Sequence, residues 1–442
     1  MKRWVGLALA GALLCVAPIV WHRPAGPTAL GAPDEGAEEL AKLHPSDGSF
    51  ARNVSPPPLA GVDLRRIRLE GDSATSPAHG GRVAHLTLDP SLQRHAERLL
   101  RGYEVPEVAV VMADMKGRVL VWASRRERGQ GGDLCADASA PAASIFKIAT
   151  AAALVEQAGL GPDTRQCYWG GDHRIEPAHL VDDPRKDRSC TTLAGAMGKS
   201  ANVVFARLAS RHLSPSSLES AARSLGFGEA PAFDVPVEPN GLHVPDEPLG
   251  FARTSAGFWN TTLSPLGAVS LALTVASRGQ SVRPYVVERV TEGEQLLFRA
   301  PPRYPARRAI KPETADALTR MLETAVTEGT CYRAFHDARG RAFLPNLAVA
   351  GKTGTLTRGE TDQFYTWFVG FAPARAPEVA LAVLAVNGST WRVKANVIAR
   401  DMLRTYFASR GAPGVTMPRL RPPPAAPPAS PCRAYARRRP RP

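Results

Sequence analysis

The sequence predicts an α+β domain whose sheet is assembled from distant segments of the chain. Apolar, strand-like runs stand at both ends of the body, and the stretch between them has helical periodicity. At 442 residues the chain is about three times an average domain of ~150 residues, so one large domain with appendages or two domains are the options. Hydrophobic residues make up 44% and charged ones 22%, a globular composition that excludes a wholly disordered chain and a multi-span membrane protein.

After Met1-Lys2-Arg3, the stretch from Trp4 to Trp21 is uncharged and would rise about 27 Å as a helix, close to the thickness of a bilayer core. Residues 1–21 therefore read as a cytoplasmic tip and transmembrane signal-anchor. The preceding positive charges place the rest of the chain on the exported side. The alternative is a cleaved signal, with the body secreted to the periplasm. Residues 22–82 are rich in Pro, Gly, Ala and acidic residues, include Pro56-Pro57-Pro58, and read as a largely unstructured juxtamembrane linker.

The ordered body is predicted over 83–408. A strand at Ala84–Leu88 leads to Asp89-Pro90, where Asp can cap and Pro can open a helix reaching Leu100. Val108–Ala113 and Val119–Ser124 are apolar runs joined at Asp114-Met115-Lys116-Gly117, a hairpin signal. Helical patterns follow from Ala142 to about Gly159, then over Leu193–Ser210, Pro265–Ser277 and Pro312–Thr327. Strand character returns at Leu347–Leu356, Phe364–Phe371 and Val379–Val386, and a last helix spans about Lys394–Phe407. Residues 409–442 read as a Pro/Arg-rich disordered tail.

The net charge is +14, and half of that excess is the seven Arg of residues 411–442, which hold no Asp or Glu. A body with so modest a bias, and without finger-type Cys/His spacing, is not expected to bind nucleic acid. The ten His show no metal-ligating spacing, so neither a metal nor a cofactor is expected. Six Cys in an exported chain are free to pair. Cys167 and Cys190 bracket a polar loop ahead of a helix and are the expected disulfide, with two unpaired thiols as the alternative.

Three short motifs carry the chemistry. Ser144-Ile145-Phe146-Lys147 opens the central helix, and a spacing of three puts the Lys amine within reach of the Ser hydroxyl. A Lys desolvated in a cleft, or beside another cation, loses basicity and can deprotonate that hydroxyl. None of the other eight Lys has Ser three positions earlier. Ser200-Ala201-Asn202 lies within the helical block, and no other Asn of the seven has Ser two positions before it. Lys352-Thr353-Gly354-Thr355 lies in a strand, where Gly admits a ligand close to the backbone and Lys and Thr offer donors to a carboxylate. Taken singly, each motif has a bland reading: an exposed helical pair, a helix cap, a strand end.

In this order, the three motifs resemble the signature of penicillin-binding proteins and serine β-lactamases. Over about residues 84–408 the chain is similar to the transpeptidase domain of penicillin-binding proteins. Supporting segments are Leu86-Thr87-Leu88-Asp89, Leu92-Gln93, Ser264-Pro265-Leu266, Glu328-Gly329-Thr330 and Trp367-Phe368-Val369-Gly370-Phe371. The resemblance implies an antiparallel sheet with flanking helices plus an all-helical subdomain, with the active site between them. It makes Ser144 the acylated nucleophile, Lys147 its base and Ser200 a proton relay. Asn202 would hold a substrate amide, Lys352 would supply positive potential, and Thr353 and Thr355 would bind a terminal carboxylate. The backbone amides of Ser144 and Thr355 would form the oxyanion hole. Ala142-Ala143 replace the Pro-Gly often found before the nucleophile, which leaves the shape of that turn open.

The expected activity is that of a D,D-transpeptidase, which cross-links peptidoglycan stem peptides through a serine acyl-enzyme and is acylated by β-lactams. The expected setting is the inner membrane, single-pass, with the catalytic domain periplasmic and a cell-wall synthesis complex as a possible partner. A D,D-carboxypeptidase and a serine β-lactamase are the alternatives, and a non-catalytic β-lactam sensor or scaffold is a third. Glu238-Pro239-Asn240 superficially resembles the loop that activates water in class A β-lactamases, but the following Gly241-Leu242-His243-Val244-Pro245 looks more like a transpeptidase segment.

Overall fold

The computed structural model describes residues 57–418, apart from 128–130 and 359–362. Strands β1 (Arg68–Glu70), β2 (Ser73–Pro77) and β3 (Val83–Leu86) come first, followed by helix α1 (Pro90–Tyr103), the hairpin β4 (Glu107–Asp114) and β5 (Val119–Arg126), and helix α2 (Lys147–Ala158). The middle of the chain supplies the pair β6 (Arg165–Tyr168) and β7 (Ser189–Thr192), then α3 (Leu193–Lys199), α4 (Asn202–His212), α5 (Pro215–Ser224), α6 (Pro248–Ser255) and α7 (Pro265–Ala276). Strands β8 (Gln280–Ser281), β9 (Val287–Glu292), β10 (Gln295–Arg299) and β11 (Arg307–Arg308) lead to α8 (Pro312–Thr327) and the single turn α9 (Tyr332–Phe335). The chain then returns to β12 (Ala350–Arg358), β13 (Gln363–Ala372) and β14 (Val379–Asn387) before α10 (Ala395–Ser409).

Local chemistry explains where these elements begin. Asp89 accepts from the amides of Ser91 and Leu92 while Pro90 opens α1, and Ser264 caps α7 through the Gly267 amide ahead of Pro265. At the hairpin, Asp114 accepts from the amides of Lys116 and Arg118, and Gly117 takes the positive φ that the turn requires.

The central sheet runs β12-β13-β14-β4-β5, antiparallel throughout. Its middle strands alternate strictly between two cores. Ala109, Val111, Ala113, Ala380, Ala382 and Leu384 face the core shared with α2 and α7, whereas Val108, Val110, Met112, Leu381, Val383 and Ala385 face the one shared with α1 and α10. Both faces of β14 are thus covered, and all nine of its residues are buried.

Two predicted boundaries are corrected. Within the expected linker, residues 57–82 are ordered: Leu59, Val62, Leu64 and Ala74 join the main core, and β1 and β2 belong to a second sheet ordered β1-β2-β3-β9-β10. These strands are short, β2 is built mostly of small residues, and β3 holds β2 in place by pairing on its other side with β9, some two hundred residues along the chain. Nothing local signals such an element. Likewise residues 409–418 of the expected tail are ordered, with Arg404 donating to the Thr416 carbonyl and hydroxyl and Val415 packed on the core. The proposed anchor at 1–21, the linker up to residue 56 and the tail from 419 lie outside the described residues. Among the described residues, no helix is long and apolar enough to cross a membrane.

The helix predicted over Leu193–Ser210 is in fact two, α3 and α4, broken where Ser200 adopts φ +60° and Ala201 is extended. Apolar periodicity continues across the break, so a pattern of side chains does not register it.

Candidate active site

The turn ahead of α2 carries Ser144. It is a 3₁₀ turn, Ala143–Ile145, and not the first α-turn that periodicity predicts. Ala143 has φ +50°, a conformation open to glycine and costing about 1 kcal/mol or more for alanine, so the shape that Pro-Gly would supply is kept without it. Tertiary contacts impose it: the Ala142 amide donates to the Thr261 carbonyl at 2.9 Å, and the Trp367 indole donates to the Pro141 carbonyl at 2.9 Å. Gly257 lies so close that a Cβ there would come within 2.4 Å of the Ala143 carbonyl oxygen.

The three motifs converge on one site. Lys147 Nζ lies 2.8 Å from Ser144 Oγ, 2.7 Å from Asn202 Oδ1 and 2.6 Å from the Ala256 carbonyl. The break between α3 and α4 is what turns Ser200 and Asn202 into this cleft. Lys352, on the edge strand β12, reaches Ser200 Oγ at 2.8 Å and the Thr353 carbonyl at 3.0 Å. Thr353 and Thr330 share a hydroxyl hydrogen bond of 2.6 Å. Thr355 is exposed on the same strand. Gly354 packs where a Cβ would stand 3.2 Å from the Trp367 side chain and 3.3 Å from the Ala142 carbonyl, so it admits the nucleophile turn as well as any ligand.

Both lysines are fully buried. Burial first, and the like charge of Lys352 second, push the Lys147 amine well below the usual lysine range. Burial also pulls Lys352 down, to about 8. Both shifts favour the neutral amine, and Lys147, which has the like charge of Lys352 beside it as well as burial, is the one pushed further toward that form. A neutral amine has two N–H donors and one lone pair. Asn202 Oδ1 and the Ala256 carbonyl can only accept, so they take both donors, and the lone pair is left for the hydroxyl of Ser144. Chemically, such an arrangement can serve as a base held against a hydroxyl.

Ala256 and Gly257 were not signalled by sequence, since they act through the backbone or the absence of a side chain. Thr330 was visible in Glu328-Gly329-Thr330. Glu238 is exposed, and the neighbouring Asn240 is buried and bonded to Ser264 and the Gly226 carbonyl. Among the described residues no hydrogen bond links Glu238 to Ser144 or Lys147. Cys167 and Cys190 face each other across β6 and β7 with their sulfurs 1.98 Å apart, as a disulfide, while Cys135 and Cys331 are buried and unpaired. A cavity of about 290 Å³ near Arg283, at the end of α5, contains none of the motif residues, and the convergence of side chains rather than cavity size defines the site.

The family model of the penicillin-binding protein transpeptidase domain matches residues 108–404. The peptidoglycan D,D-transpeptidase PbpA of Mycobacterium tuberculosis is 30% identical over 267 residues, covering 56% of this chain and 50% of that protein. A probable peptidoglycan D,D-transpeptidase, PbpC, of Pseudomonas aeruginosa is 29% identical over 217 residues, covering 47% of this chain and 34% of that one. The chain thus spans about half the length, or less, of these relatives. Among solved structures, the imipenem acyl-enzyme complex of M. tuberculosis penicillin-binding protein A superposes with a TM-score of 0.59 at 25% identity, over 73% of this chain and 79% of that one. The D,D-transpeptidase domain of a peptidoglycan glycosyltransferase from Eggerthella lenta gives 0.61 at 24% identity, over 74% and 83%, and shares the fold.

Proposed function

The chain belongs to the penicillin-binding protein transpeptidase family, and from that premise we propose that it is a peptidoglycan D,D-transpeptidase acting on stem peptides ending in D-Ala-D-Ala. The observation that carries the reading is the Lys147 amine, held by two acceptors with its third position on Ser144 Oγ. Lys147 takes the hydroxyl proton as Ser144 Oγ bonds to the carbonyl carbon of the penultimate D-alanine. Collapse of the tetrahedral intermediate breaks the C–N bond, and the departing D-alanine amine receives a proton relayed through Ser200. The amine of a second stem peptide then attacks the ester, forms the cross-link and returns the proton to Ser144. Lys352, with the hydroxyls of Thr353 and Thr355, binds the terminal carboxylate, Asn202 holds the substrate amide, and the amides of Ser144 and Thr355 stabilise the oxyanion.

A β-lactam mimics the D-Ala-D-Ala terminus, so the same Ser144 opens its ring to give a drug-derived serine ester, and the drug acts as a covalent inhibitor of this site. Incubation with muropeptides and a labelled D-amino acid tests the reading. A D,D-transpeptidase incorporates the label, a D,D-carboxypeptidase only releases D-alanine, and an inert protein that still binds penicillin is a sensor; either of the last two results removes the proposal.

We also propose that residues 4–21 anchor the protein in the inner membrane with the body in the periplasm, within reach of a cell-wall synthesis complex. The uncharged span and its flanking Lys2 and Arg3 support this topology. Protease added to spheroplasts is expected to digest the body of a protein that fractionates with membranes. A soluble mature form beginning near residue 30 would instead mean a cleaved signal.

A further inference from the structure

Between β6 and β7 the chain forms a strap, residues 169–188, closed at its base by Cys167–Cys190. It lies along the first turns of α4. Asn202 opens that helix, and its Nδ2 donates to the strap carbonyl of Asp172 at 2.6 Å. An amide with its nitrogen on one carbonyl has its oxygen on the other side, which here faces Lys147.

The strap is clasped from below by Arg207, also on α4 and fully buried. Its guanidinium donates to the carbonyls of His179 and Cys167 and to Asp187 Oδ2, at 3.0 Å and 2.8 Å for the latter two. That cation holds the Asp187 carboxyl below its ordinary range. Arg253 of α6 adds a bond to the Ile175 carbonyl at 3.3 Å. Beside Asp172, Gly171 has φ +73° and is packed so tightly on α4 that a Cβ would come within 2.7 Å of Val203 Cβ.

We propose that this disulfide-closed strap is a positioning device for the base: the Asp172 carbonyl fixes which end of the Asn202 amide faces Lys147, and so keeps the lysine lone pair free for Ser144. The inference rests on the reading of Lys147 as base. Freed from the strap, the amide can rotate and present its NH₂ to the amine. A donor there occupies the lone pair and also disfavours the ammonium form. The remaining groups facing Lys147 are Ser144, the Ala256 carbonyl, the Phe205 ring at 5.7 Å and, from β12, Lys352, the charged neighbour.

Gly171→Ala tests this with the disulfide intact, because the added methyl must lift the strap from Val203. The measurement is the rate of acylation by a fluorescent penicillin across pH, on the full-length protein. The rate at the plateau is expected to fall about 10- to 100-fold, and the acid limb to move to lower pH, since the ammonium has lost an acceptor. A strap with only a structural role reduces the amount of active protein and leaves the limb where it is in wild type. An unmoved limb, whether or not the rate falls, overturns the proposal. Should Gly171→Ala not fold, mildly reduced wild type is read in the same way, since Cys190 is exposed whereas Cys135 and Cys331 are buried. Failure of the underlying reading looks different: wild type itself would then not be acylated.

Discussion

Ser144→Ala is expected to abolish covalent labelling by a fluorescent penicillin while leaving the fold in place. The hydroxyl is the one atom of the site that would bond to the acyl group, and no neighbouring side chain offers a replacement: Ser200 Oγ is engaged by Lys352 rather than by a free base. Removing it costs Lys147 one partner of three, and Asn202 Oδ1 and the Ala256 carbonyl remain in place. A single hydrogen bond of this kind contributes about 1 kcal/mol, so thermal unfolding of a body this large should shift by only about 1–2 °C. Gel labelling and a melting curve on the same preparation check both halves. Labelling that survives the substitution would move the nucleophile elsewhere, and rapid nitrocefin turnover by wild type would make the protein a β-lactamase.

Loss of the Lys147 amine is expected to lower the acylation rate by about 10⁴-fold, since base and nucleophile act as a unit. Lys147→Met is the better variant than Lys147→Ala, because it fills the buried space and limits the disturbance to two acceptors left without donors. The wild-type rate should also follow a bell in pH. Lys147 must be neutral to accept a proton, so the rate rises with pH as this amine, already pushed down by burial and by Lys352, loses its proton. Lys352 must be charged to hold a carboxylate, so the rate falls again as pH passes through about 8. Stopped-flow acylation between pH 5 and 10 measures both limbs. A rate that keeps climbing well above pH 9 would mean that the charge on Lys352 is not needed.

The parts of this site that could be read in the sequence are those whose chemistry lives in a side chain at fixed spacing. Ser144 and Lys147, Ser200 and Asn202, and Lys352 with its Thr and Gly neighbours announce themselves that way. The hairpin at Asp114–Gly117 and the Pro-opened helices were legible for a similar reason, being specified by residues next to one another. The Ala256 and Asp172 carbonyls that hold Lys147 and Asn202 belong to residues whose names say nothing about backbone direction. The left-handed turn at Ala143 was illegible because the local residues do not favour it; contacts from Thr261, Gly257 and Trp367 force it. The strands at 68–77 were missed because they are short and lack an apolar run, and the sheet they join is completed only by β9 pairing with β3 far along the chain, whereas apolar runs made β4, β13 and β14 plain.

The order of strands in the central sheet has a consequence for biosynthesis. β14 is the seam that joins the early hairpin β4–β5 to the late hairpin β12–β13. A chain synthesised from its N-terminus presents Ser144 long before Lys352, a lag of about 10–40 s for the 207 intervening residues at typical synthesis rates. During that interval Ser144 and Lys147 have no β12 to complete their cleft and no closed sheet to desolvate the amine. A half-synthesised chain is therefore expected to be silent toward β-lactams, and under the proposed activity a covalent adduct would mark a chain whose last strands have already found their places.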